Sequence, residues 1–178
     1  LVALQSDPLP APVRIAHSLL GQLFFLATVA IAVVTSKSWN QAPKPVQDGS
    51  RTRFLATAMA ALVLLQVTLG AAFRHGVTGA LPHILGALVV AVFLGPAMAA
   101  ILRTETPEVR SAAIAMIVLT TVQLLLGFAL LTMQSFDDID PLVVIIATTA
   151  HVAIGAFTLA AAAITAILIR RVTAKPDP

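Results

Sequence analysis

The sequence predicts an all-α integral membrane protein of five transmembrane helices, the second to fifth forming one antiparallel bundle. Three observations carry that expectation. The 178-residue chain is 58% hydrophobic and only 11% charged, with a mean hydropathy of +0.96, far from the composition of a soluble domain. Its apolar residues are gathered into five long runs, each near or above the roughly 20 residues a helix needs to cross a bilayer core. Its basic residues fall on alternate connections between those runs, the asymmetry that sets topology.

Residues 1–13, "LVALQSDPLPAPV", have no basic start, apolar core or small-residue cleavage site, so they read as an external segment and not as a signal peptide. There is no initiator methionine, and the chain is expected to be a fragment, a processed product or part of something longer. Residues 14–36 are the first span. Residues 37–53 include "QAPKPVQDGS", whose proline, glycine and polar content suit a cytoplasmic linker. The second run, Phe54–Phe73, and the third, Ala80–Leu102, are separated only by "RHGVTG". Pro82 suits a first helical turn, and Gly95–Pro96 is an expected kink. The fourth run, Ser111–Met133, follows a connection containing Glu105 and Glu108. The fifth, Leu142–Ile169, follows "SFDDID", read as a solvated turn. Residues 54–171 are thus the expected four-helix bundle, and 172–178 a cytoplasmic tail.

Nine of the eleven basic residues, Lys37, Lys44, Arg51, Arg53, Arg103, Arg110, Arg170, Arg171 and Lys175, fall on one side of this topology. By the positive-inside rule that side is cytoplasmic. Arg14 and Arg74 fall on the other, with Asp7, Asp137, Asp138 and Asp140, so the amino end is expected outside. The net charge of +3 therefore reflects topology, with no nucleic-acid footprint. The expected partner is the lipid bilayer, and the expected setting a bacterial inner membrane. The chain has no cysteine, which excludes disulfides, zinc–thiolate sites and iron–sulfur ligation by its own residues.

A repeat lies within the spans. His17, His83 and His151 each stand 20 positions before a basic residue, Lys37, Arg103 and Arg171. At about 1.5 Å rise per residue, all three belong in the outer part of the membrane. In the intervening helices, Gln66 and Gly70 follow Arg53 by 13 and 17 positions, and Gln123 and Gly127 follow Arg110 by the same intervals. Histidine-type and glutamine-glycine-type helices alternate, and the first histidine helix is unmatched. A neighbour earlier in the chain, or one from another subunit, is expected against it.

Ionisable groups inside a membrane are functional hypotheses by default. For a single histidine, an interhelical hydrogen bond is an equal alternative; three at matched depth favour a ligand role. Zinc and copper sites recruit three or four ligands, and the apolar runs contain no Asp or Glu to complete such a set. Haem needs only two axial ligands, which histidines on facing helices can supply. His83 and His151, on helices flanking the fourth span, are the expected pair for the iron of one haem. Gly86 and Gly155, at i+3 and i+4 from them, and Gly21, at i+4 from His17, would let a flat macrocycle approach, or serve close helix packing. Arg74 is placed to meet a propionate or to snorkel. Gln66 and Gln123 are expected to bond between helices or to tune a haem edge. His17 is half of a second possible haem site, with His75 either its other half or, preferably, a surface anchor.

The segments "VRIAHSLLGQLFF", "LQVTLGAAFRHGVTGALPHILGALV", "VQLLLGFALL" and "TTAHVAIGAFTLA" together resemble the heme A synthase family, over essentially all five spans. The resemblance implies two similar four-helix halves, with this chain corresponding to the fourth to eighth helices. His83 and His151 would match the ligands of the carboxy-terminal haem b, and His17 the second ligand of the amino-terminal site. The implied activity is oxidation of a methyl group of heme O to the formyl group of heme A. The family's catalytic glutamate lies near a first histidine in the half that this sequence does not contain; Glu105 and Glu108 do not match it, and the paired external cysteines of some relatives have no counterpart. A non-catalytic b-type cytochrome subunit of a larger respiratory or photosynthetic complex is the alternative, and a haem-free scaffold or transporter a third class.

Overall fold

A computed structural model describes residues 9–41, 49–104, 106–133, 135–136 and 138–173. The sequence expectations for Asp7, Lys44, Glu105, Asp137 and Lys175, and for most of the linker and tail, concern residues outside these. The described chain is helical in five pieces: α1 (Ala11–Val34), α2 (Ser50–Arg74), α3 (Ala80–Ile101), α4 (Pro107–Met133) and α5 (Pro141–Val172). All five are long and apolar enough to span a membrane, because only a helix satisfies its own backbone hydrogen bonds in hydrocarbon.

The helices do not coincide with the apolar runs. α2 begins at Ser50 and not Phe54, α4 at Pro107 and not Ser111, and α5 continues to Val172 past Ile169. Hydropathy marks the part of a helix that tolerates lipid, whereas backbone bonding carries on into the polar boundary. Local chemistry sets the ends. Pro107 and Pro141 open their helices, where a missing N–H is harmless, and the Asp140 carboxylate accepts from Leu142 N at 2.8 Å, an N-cap for α5. α2 ends in a Schellman turn: Val77 N donates to Ala72 O at 2.9 Å and Gly76 N to Phe73 O at 3.0 Å, with Gly76 at φ +73°. That left-handed conformation suits glycine and lets α3 start within a few residues. α3 continues as helix through Pro96.

α2 packs against α3 and α5, and α4 against α5 and α3, while α1 lies along α5 and α2. None of the residues of α1 is buried. Its inner side presents Leu26, Val29, Ala30 and Val33 to the core, and Phe25 meets Phe157 edge-on with ring centres 5.1 Å apart. Beyond α1, the Arg171 guanidinium lies over Trp39, 4.4 Å from the ring centre, and donates to the carbonyls of Trp39 and Gln41. This fastens the end of α1 to the end of α5.

The buried core is concentrated at one end. It is made by Leu55, Met59 and Val63 of α2, Met98 and Ile101 of α3, Val109 and Met116 of α4, and Leu159, Leu168 and Ile169 of α5. These come from the start to just past the middle of α2, the first half of α4 and the second half of α3 and α5. In contrast, Leu142, Val143, Ile145 and Ile146 at the start of α5 are exposed. The tight end supplies rigidity through side-chain packing, the main source of helix association in a membrane. Met59→Ala or Met116→Ala, each at a site only 1% exposed, should lower unfolding free energy by about 2–5 kcal/mol, as read by denaturation in mixed micelles.

Candidate functional site

At the loosely packed end, residues from four helices converge. His83 lies in the first turn of α3, where Gly79 precedes the helix and the tight α2–α3 turn holds the entry. His151 lies about three turns into α5, which is the longest helix. Their imidazoles meet edge-on, with ring centres 6.3 Å apart and planes at 81°. Both are half-buried. The sequence pairing of these two histidines is therefore a contact in space, between helices that are separated in the chain by α4.

Each ring is held by a glutamine from the preceding helix. Gln66 of α2 donates through Nε2 to His83 Nδ1 at 3.0 Å and to His83 O at 2.8 Å. Gln123 of α4 donates through Nε2 to His151 Nε2 at 3.0 Å. The two glutamines thus bond between helices, one of the roles their positions suggest. Because an amide N–H only donates, each contacted imidazole nitrogen is an acceptor, and the ring proton of His83 belongs on Nε2.

Glycines make these approaches possible, and they work reciprocally. A Cβ on Gly70, one turn after Gln66, would lie 2.9 Å from His83 Cε1; one on Gly127, one turn after Gln123, would lie 3.1 Å from His151 Cε1. In return, a Cβ on Gly86 would lie 2.2 Å from Gln66 Oε1, and one on Gly155 would lie 3.2 Å from Gln123 Nε2. The Gln–His–Gly–Gly unit therefore occurs twice, on α2–α3 and on α4–α5. Sequence reasoning singled out Gly86 and Gly155 but gave Gly70 and Gly127 no place beneath the rings, although their position four residues after each glutamine was the available signal. It also missed Phe73, whose ring lies near-parallel to His83 at 19° with centres 6.3 Å apart.

Polar satisfaction around the rings is incomplete among the described residues. Gln66 Oε1, Gln123 Oε1 and His151 Nδ1 are all buried without a hydrogen-bond partner. Such groups cost about 1–3 kcal/mol each; Arg14 Nε and Gln22 Oε1 on α1, Thr78 Oγ1 and Thr120 Oγ1 are unpartnered as well.

The other sequence candidates lie elsewhere. His17 is exposed on α1, and a Cβ on the neighbouring Gly21 would meet nothing within 4 Å. His75, which caps α2, is half-buried, and its Nε2 lies 3.1 Å from Ser18 Oγ; its contact is thus with the residue beside His17. Arg74 is exposed at the end of α2. Desolvation, followed by the nearby positive charges of Arg14 and Arg74, holds the His75 pKa below the usual 6.5. The sign follows from linkage: a depressed folded-state value favours the neutral ring, so this contribution to stability is full above pH 6.5 and is lost as pH falls through the folded value. NMR titration of His75 should give a midpoint below 6.5, and Arg14→Gln should move it upward.

Among the described residues, no group of three or more His, Cys, Asp or Glu side chains is placed to hold a metal ion. Comparison of the chain with known protein families, with characterised proteins and with solved structures finds no match.

Proposed function

We propose that this chain is a haem b-binding membrane protein of the kind the heme A synthase resemblance implies, with His83 and His151 as the two axial ligands in an antiparallel bundle of α2 to α5. The observation that carries the reading is the meeting of those imidazoles. An imidazole nitrogen lies about 2 Å from the transition metal it binds, so rings that share one ion from opposite sides have centres about 6 Å apart. The observed separation is 6.3 Å. Two ligands suffice only where a macrocycle provides the rest, which fits a donor set of two histidines without acidic neighbours. The close-approach glycines and the unpartnered polar atoms give further support.

Bound there, haem b would be held by His83 and His151 and would supply a one-electron iron couple suited to electron transfer. The residues of the chain hold and orient the rings. Ligation through His83 Nε2 would require its ring proton to sit on Nδ1, so the Gln66 amide would have to give up its present bonds to His83 Nδ1 and His83 O. Outer-shell bonds of this kind fix the tautomer and ring direction of ligating histidines. Arg74 is the basic group at the same end of α2 available to a propionate. The reading places the histidine end outside and the arginine-rich end in the cytoplasm of a bacterial inner membrane, and gives the oxidation of heme O to residues beyond these two ligands.

A second reading, histidines as interhelical fasteners alone, is favoured by the double bond from Gln66 to His83. The two separate on one experiment. The purified chain, supplied with haemin and then reduced, should show a b-type α band in the reduced-minus-oxidised spectrum. A folded chain that takes up no haem would leave the fastener reading.

A further inference from the structure

At the end of the bundle opposite the histidines, Arg53 and Phe54 at the start of α2, together with Thr57 and with Arg170 near the end of α5, line a pocket of about 460 Å³. We propose that this pocket binds the phosphodiester headgroup of an anionic lipid. The two arginines come from helices far apart in sequence, and the packing of α2 on α5 brings them together. Their bonds among the described residues go to neutral oxygens: Arg53 Nη1 donates to Thr173 O at 3.5 Å, and Arg170 Nη2 to Thr57 Oγ1 at 3.3 Å. Both side chains are exposed, so most of their N–H groups face outward. The neighbouring Arg171 turns the other way, onto Trp39 and Gln41, which leaves Arg170 committed to this pocket.

The chemistry matches a phosphate attached to something apolar. Guanidinium forks bind phosphate oxygens through paired hydrogen bonds, and the Thr57 hydroxyl adds one more polar group. Phe54, 68% exposed, begins the apolar part of α2 immediately beside them and gives a glycerol backbone or acyl chain a surface that free phosphate would not use. Basic pockets between transmembrane helices at the membrane boundary recognise anionic headgroups in this way.

Native mass spectrometry of the full chain, released from bilayer nanodiscs of phosphatidylcholine containing a minority of phosphatidylglycerol, tests the proposal. The wild-type chain should retain phosphatidylglycerol in preference to phosphatidylcholine. The Arg53→Gln/Arg170→Gln double variant should lose that preference by about 30-fold, from the loss of two positive charges near the headgroup. An Arg103→Gln/Arg110→Gln control should retain it. If the first double variant does not fold, as judged by helical circular dichroism, the wild-type preference must still weaken as salt is raised. Equal retention of the two lipids by the wild-type chain, or an unchanged preference in the folded Arg53/Arg170 variant, overturns the proposal. So does displacement of phosphatidylglycerol by millimolar inorganic phosphate, which would make free phosphate the ligand.

Discussion

His83→Ala and His151→Ala should each abolish stable haem uptake and leave the five-helix fold standing. The fold survives because the buried core, from Met59 and Ile101 to Met116 and Ile169, lies at the other end of the bundle. In His83→Ala, the Gln66 amide keeps its bond to the backbone oxygen of residue 83, which does not depend on the side chain. On the proposed reading, what would be lost is one of the two donors, and the remaining histidine could not hold the iron from both sides. The fall in haem retention should exceed the roughly 10–100-fold loss that follows removal of an outer-shell partner. Free imidazole should restore part of the low-spin absorption to either variant, because it replaces the missing nitrogen. Haem titration followed by size-exclusion chromatography measures both effects. Full retention of low-spin haem by either alanine variant would remove that histidine from the site.

The second large effect comes from adding a single carbon. Gly70→Ala puts a Cβ 2.9 Å from His83 Cε1, Gly127→Ala puts one 3.1 Å from His151 Cε1, and Gly86→Ala puts one 2.2 Å from Gln66 Oε1. The first two push directly on an imidazole. The third displaces an amide that is held by two hydrogen bonds to His83, so it disturbs the ring through its holder. Helix stability does not fall for backbone reasons, since alanine is favoured over glycine inside a helix by about 0.5–1 kcal/mol. We expect haem affinity to fall about 10–100-fold in each variant, the range for loss of outer-shell positioning, with little change in thermal stability. Gly21→Ala is the control, because a Cβ there meets nothing within 4 Å; its haem affinity should equal that of the unaltered chain. Equal affinity across all four variants would show that the glycines serve packing alone.

These two predictions rest on features of unequal visibility in the sequence. The five spans were legible because hydrophobicity over some 20 residues is a strong signal. Their ends were not, since Ser50–Arg53 and Pro107–Arg110 continue a helix that hydropathy has already left. The depth of His83 and His151 was readable from their common distance to Arg103 and Arg171, and that was enough to bring the pair to attention. Helix rotation was less accessible. α3 and α4 are apolar almost all round, so no stripe in their sequences tells which face meets a neighbour. That is why Gly70 and Gly127 were noticed as a repeat but not as the floor beneath two rings, and why the stacking of Phe73 on His83 went unforeseen. His17 has the same spacing as the other two histidines, yet it is exposed, because depth is a property of sequence position whereas burial needs a partner helix on the right side. The meeting of Arg53 with Arg170 required the closure of α2 on α5, which no local pattern encodes.

Whether imidazoles from α3 and α5 hold one iron is decided by electron paramagnetic resonance of the oxidised, haem-loaded chain. With ring planes at 81°, a low-spin ferric signal of the highly anisotropic type given by near-perpendicular imidazole ligands is expected, together with its disappearance in both His83→Ala and His151→Ala. A high-spin ferric signal from the unaltered chain, or a low-spin signal that survives either substitution, would contradict it.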